Sequence, residues 1–168
     1  MQAESIYRQG IAQITKSYSL RYQGITLLQA RLGELYLNLY DYKQSLIYWE
    51  RVLKDKNYIT EQNDSAKALI YHCVAVAYCH NEQLESSIKM WQQSSYYVKK
   101  CYGEKSPRMA LEYSGMALVY YKQQNFLHAV ELLNEAYSIL EKECGKDYRA
   151  TRRIAKLRED WRKKLNNQ

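Results

Sequence analysis

The chain has 168 residues, 46% of them apolar, with one proline and six glycines, enough for a single domain whose core is built from long, uninterrupted helices. It carries 25 Lys/Arg against 18 Asp/Glu, a formal net charge of +7, and no run of eighteen consecutive apolar residues, so no membrane-spanning helix is predicted. The first thirty residues show neither the compact apolar stretch nor the small-residue cleavage site of a secretory leader, and the four cysteines are therefore expected to be reduced thiols in the cytoplasm.

Residues 1–19 come first, as a leading helix. Tyr7, Ile11, Ile14 and Tyr18 recur there at spacings of 4, 3 and 4, the stripe of an amphipathic helix. A first helix pair follows over 22–60, with Asp41 at its turn and the polar stretch 54–63 read as a connector. A second pair spans 64–101, started by Asp64 or Ser65 as side-chain cap and turning at Asn81. Gly103 ends it, and Ser106 with Pro107 opens a third pair over 106–144, a cap followed by a proline at the first helical position. That pair turns at Asn125 and stops before Gly145, forty-two residues after Gly103. A last helix occupies 148–166.

One signature recurs every forty-two residues. Leu32-Gly33-x-x-Tyr36 is followed by Ser45-x-x-x-Trp49 and Val52. Val74-Ala75-x-x-Tyr78 is followed by Ser87-x-x-x-Trp91 and Ser94, and Met116-Ala117-x-x-Tyr120 by Ala129-x-x-x-Leu133 and Ala136. A fixed period with small and aromatic positions in constant order marks a repeat solenoid of two antiparallel helices per repeat. The small residue lets the first helix approach its neighbour, and an aromatic from the second helix fills the space beside it. Counting back forty-two from Ser45, Trp49 and Val52 gives Ala3, Tyr7 and Gly10, the signature of a second helix without its first. Such a helix either offers an open edge, as part of a longer protein or to another chain, or simply caps the solenoid.

The order of small and aromatic positions over 22–144 resembles the tetratricopeptide repeat (TPR). The 42-residue period and the stretch YGEKSPRMAL at 102–111 resemble the version found in kinesin light chains. The resemblance implies an all-α, right-handed TPR-type solenoid over 1–168, three helix pairs with a leading and a capping helix. It implies a non-catalytic scaffold that holds a partner's amphipathic helix or extended peptide in a groove made by the first helices. Carried over residue by residue, that groove is lined by Leu27, Ala30, Glu34 and Leu37, by Leu69, His72, Val76 and Cys79, and by Leu111, Ser114, Leu118 and Tyr121. Relatives that clamp a terminal carboxylate place Lys, Arg and Asn on these faces, where this chain has Ala30, Glu34, Cys73, Leu111 and Gly115. Kinesin light chains place asparagines where Ala30-Arg31, His72-Cys73 and Ser114-Gly115 stand. The mostly apolar lining suits an amphipathic helix better than a charged peptide; the alternative occupant is one of the protein's own termini.

The last helix differs in kind. Ala150, Ile154, Leu157, Trp161 and Leu165 share one face at spacings of 4, 3, 4 and 4, the stripe with which a terminal helix closes a solenoid. Residues 146–168 carry nine Lys/Arg against three Asp/Glu, a net +6, whereas residues 1–145 carry sixteen against fifteen. Arg149, Arg152, Arg153, Lys156, Lys163 and Lys164 fall along one flank of this helix. Such a flank fits a polyanion, either nucleic acid or an acidic protein surface such as a cytoskeletal polymer, or it is the solvated side of a cap. RNA readout needs free aromatics for stacking, and most tyrosines stand at core-type positions, so nucleic acid is the less favoured partner.

Signatures of catalysis are missing: there is no P-loop, dinucleotide fingerprint, HExxH or GxSxG. His72-Cys73 and Cys79-His80 suggest a metal site, but His72 and Cys79 stand about 10.5 Å apart along a helix, too far for one zinc ion. Neighbours such as His72 and Cys73 point about 100° apart, so they form no nucleophile pair. Neither catalysis, a cofactor nor a metal is expected. The expected function is a protein-interaction scaffold in a larger cytoplasmic assembly, cytoskeletal or ciliary by the kinesin light chain resemblance. The alternative is polyanion binding through the last helix.

Overall fold

The computed structural model describes residues 2–17 and 23–166, and all regular structure among them is helical. The helices are α1 (Gln2–Ser17), α2 (Gln23–Asn38), α3 (Tyr42–Lys54), α4 (Lys56–Glu61), α5 (Asp64–His80), α6 (Leu84–Tyr102), α7 (Pro107–Lys122), α8 (Phe126–Cys144) and α9 (Arg149–Leu165). Tyr18 and Tyr22, and the side chains of Ala3 and Ile14, lie outside the described residues. Three short turns fold α3 onto α2, α6 onto α5 and α8 onto α7, and α9 packs on α8.

The turns are built alike because the sequence repeats. Tyr40, Glu82 and Gln124, each forty-two residues apart, hold the left-handed conformation at φ 59°, 59° and 62°. Asp41 then accepts a hydrogen bond from Gln44 N at 3.1 Å and Asn125 one from His128 N at 3.2 Å, satisfying orphan donors at the starts of α3 and α8. In the second turn the equivalent residue, Gln83, makes no such bond; Asn81, at the end of α5, instead donates its side-chain nitrogen to Ala77 O and to Tyr42 O, both at 2.8 Å. That bond ties the second turn to the first. Gly103 and Gly145 end α6 and α8 at φ 87°, where a side chain would be strained.

One expectation gains detail and one needs correction. The connector 54–63 holds a short helix: Asp55 caps α4 through Tyr58 N at 3.0 Å, and Tyr58 is buried. Asp55 also accepts from Thr26 Oγ1 at 2.6 Å, pinning α4 to α2. The cap of α5 is Asn63, which accepts from Ala66 N at 2.8 Å, and Asp64 lies inside the first turn. A carboxylate there complements the positive end of the helix dipole.

Packing explains the signature. Ser45 Oγ donates to Gly33 O at 2.9 Å and Ser87 Oγ to Ala75 O at 2.8 Å, so the small positions of the first two pairs are both touching and bonded. Trp49 and Trp91 are 1% and 3% exposed and fill the space those small residues leave. The last cluster gathers Leu133, Ala136, Ile154 and Trp161, which seats α9 as the next first-type helix. At the other end Tyr7 and Ile11 of α1 pack on Leu32, Tyr36 and Tyr48. The Tyr36 hydroxyl donates to Glu4 and accepts from Arg8 Nη2.

Candidate partner-binding groove

The first-type helices α2, α5 and α7 each carry one leucine outward at the same repeat position. Leu27, Leu69 and Leu111 are forty-two residues apart and 45%, 47% and 52% exposed. Two clefts run between these helices, lined by Leu69 and Leu111 but not by Leu27. The one between α2 and α5 measures about 570 Å³ and is lined in part by Glu34, Leu37, Leu69, His72 and Val76. The other, between α5 and α7, measures about 230 Å³ and includes Leu69, His72, Arg108, Leu111 and Glu112. Leu69 and His72 belong to both, so the clefts form one furrow.

Its polar side chains include Glu34, Asn38, His72, Arg108 and Glu112. Glu34 pairs with Arg31 Nη1 at 2.9 Å. His72 Nδ1 lies 2.9 Å from Glu112 Oε1, and its ring meets Trp91 edge-on at 4.9 Å. Cys73 is buried beside them, and burial, reinforced by the charges of Glu34 and Glu112, pushes its thiol up to about 12. Burial raises the Cys79 thiol too. Both are thus held as thiols rather than the nucleophilic or metal-binding thiolate. Among the described residues, no three His, Cys, Asp or Glu side chains are placed to hold a metal ion.

Residues 66–142 match the family model described as tetratricopeptide repeat. These residues are tetratricopeptide repeats. The solved structure of BtubC (BKLC) from P. vanneervenii superposes with a TM-score of 0.68 at 18% sequence identity, covering 99% of this chain and 74% of that one. At that identity the likeness is one of fold: an all-α TPR solenoid. No curated protein matches the sequence. TPR repeats are in general protein–protein interaction scaffolds.

On the TPR framework two of the twelve groove residues drawn from the sequence change sides. Ala30 is 7% exposed, in one core cluster with Trp49, Cys73 and Tyr58 of α4. Cys79 is 2% exposed, enclosed by Trp91 of α6 and Val119 of α7. Glu34, Leu37, His72, Val76, Ser114, Leu118 and Tyr121 are half-buried. Ser114 Oγ is bonded to Ala110 O at 2.7 Å within its own helix. Tyr121 stacks on Trp161 at 4.3 Å, with Lys164 Nζ 5.1 Å above its ring, so α9 covers that end of the furrow.

All six residues of the basic flank are exposed. Arg153, Lys156 and Lys163 follow Leu111, Ser114 and Tyr121 by forty-two residues, so half the flank continues the columns of the groove rather than forming a separate patch. Sequence reasoning missed Glu112. The signal was available: positions 28, 70, 112 and 154 read Leu, Ile, Glu and Ile, an apolar column broken once by a carboxylate.

Proposed function

We propose that this chain is a non-catalytic scaffold that seats an amphipathic helix of a protein partner along the furrow of α2, α5 and α7, within a larger assembly. The observation that carries the reading is the register of Leu27, Leu69 and Leu111, three outward leucines at one repeat position. Scattered surface leucines are ordinary. Three in a column, with half-buried Leu37, Val76 and Leu118 beside them, make the apolar lining that a helix's i, i+3, i+4, i+7 face fills. An extended peptide is the other form such a segment takes. The proposed setting, carried by the sequence resemblance to kinesin light chains alone, is a cytoplasmic assembly of cytoskeletal or ciliary type. Among the described residues no helix is long and apolar enough to cross a membrane.

A second reading has its own support in the six exposed cations along one flank of α9: contact with an acidic protein surface or another polyanion. Nucleic acid is the weaker version, since pairs such as Tyr36–Tyr48 and Tyr71–Tyr97 already stack on one another.

The test is peptide display. Phage carrying a random peptide library are selected on the immobilised full chain, and the binders are measured against two variants. The groove reading expects L69D/L111D, still helical by circular dichroism, to lose the peptides, while Leu127→Asp, an exposed leucine of α8, keeps them. Binding retained by L69D/L111D overturns it.

A further inference from the structure

We infer that the cleft between α5 and α7 is a subsite for one lysine or arginine side chain of the partner, received by the buried carboxylate of Glu112. The inference rests on the groove reading and adds the chemistry that reading lacks.

Glu112 stands where the other repeats put apolar residues. Its equivalents are Leu28, Ile70 and Ile154, and the two isoleucines are 6% and 7% exposed. A carboxylate in such a column is costly unless it is paired. Glu112 is 3% exposed, and its pairing is half complete. Oε1 meets His72 Nδ1 at 2.9 Å, whereas Oε2 is buried without a hydrogen-bond partner among the described residues. Arg108 stands one turn earlier on α7, yet its guanidinium lies 4.6 Å over the Tyr102 ring instead of on the carboxylate.

The surroundings select the ligand. Ala68, Leu69, Val98 and Leu111 give the cleft aliphatic walls, and its volume is about 230 Å³, below the roughly 300–1,000 Å³ of small-molecule sites. That is room for one long side chain. Aliphatic walls suit a methylene stem, and an incompletely paired carboxylate suits a cationic head. A neutral chain would leave Oε2 unmet, at the cost of a buried unsatisfied acceptor. Leu69 and Leu111 belong both to the outward column and to this cleft, so a helix lying along the column carries its basic residue to Glu112.

The display experiment above supplies the probe. Among peptides lost by L69D/L111D, a Lys or Arg is expected at a fixed place beside apolar residues. Glu112→Gln should weaken those peptides about 10- to 100-fold, the worth of a charge-assisted hydrogen bond. Norleucine in place of the basic residue should weaken them equally, and the two losses should not add. Glu112→Ile, which restores the apolar column, should melt at or above the wild-type temperature while losing the same affinity. Groove-dependent peptides without a basic preference, or with unchanged affinity for E112Q and E112I, overturn the subsite and leave the groove reading standing. Peptides indifferent to L69D/L111D sink both.

Discussion

The indole of Trp91 closes on the bare Cα of Gly115, tightly enough that a methyl group there would overlap the ring. Trp91 belongs to α6 and Gly115 to α7, so this contact joins the second helix pair to the third. At the equivalent place in the preceding pair Trp49 shares a cluster with Cys73, and its indole also presses on Gly33, where an added Cβ would meet Cε2 at 2.7 Å. In the third pair Leu133 replaces the tryptophan, and Leu157 stands where Gly115 and Cys73 do. Large and small residues trade places across the interface, which keeps the interior filled.

Gly115→Ala should therefore destabilise the protein although alanine is the better helix former. Overpacking a rigid buried ring costs about 1–3 kcal/mol, against a propensity gain of about 1 kcal/mol. Gly10→Ala is the control: its added Cβ would meet only Leu28 Cδ1, at 3.2 Å, a flexible side-chain end, and should be neutral or slightly stabilising. Urea denaturation of both variants checks the pair. A G115A midpoint at or above wild type would mean that the contact carries no packing constraint.

A second expectation concerns acid. The hydrogen bond from Thr26, then the bond from Tyr58 N, hold the Asp55 carboxyl below its ordinary value of 3.8. A depressed folded value means that this group's stabilisation is present above pH 3.8 and is lost as pH falls through the lower folded value. Thermal melts between pH 6 and pH 3 should show Asp55→Asn already destabilised at pH 6 and the gap to wild type closing on acidification. A gap independent of pH would leave the bond from Thr26 without electrostatic weight.

The repeat architecture was legible because its constraint is periodic: Gly33, Ala75 and Ala117 had to be small where Trp49, Trp91 and Leu133 had to be bulky. Helix α4 was not, since its single buried residue, Tyr58, gives no period to read and its cap, Asp55, sits in a run of polar residues. The outward face of the first-type helices was legible in part. A fixed template of positions names Leu27, Leu69 and Leu111 correctly as outward, but it ignores what leans on each helix. Tyr58 of α4 joins Ala30 in the core, and Trp91 and Val119 enclose Cys79. Glu112 escaped because a lone glutamate reads as surface, even on a largely apolar helix, until its place in the Leu28–Ile70–Ile154 column is noticed.

Trp161 is 8% exposed and stacks on Tyr121, so Trp161→Ala removes the ring that fixes α9 to the third pair. The expected loss is about 3–5 kcal/mol, read from the shift in urea midpoint. Trp161→Phe should recover much of it. A loss below about 1 kcal/mol would show that α9 adds little to the stability of the third pair.

Reversing Arg152, Arg153 and Lys156 to glutamate should leave the melting temperature nearly unchanged, because exposed charges contribute little to stability. The same variant should weaken a partner segment with an acidic end, since Arg153 and Lys156 prolong the groove columns past Leu111 and Ser114. Wild-type affinity for such a segment should fall as salt rises. Affinity insensitive to both the reversal and salt would reduce the flank to a solvated surface.

The most direct measurement is a methyl NMR titration of the full chain, labelled at leucine, with a display-selected peptide. The account predicts that the resonances of Leu27, Leu69 and Leu111 move together and saturate at one stoichiometry, while Leu127 on α8 stays still. Shifts at Leu127 with the three groove leucines unmoved would contradict it.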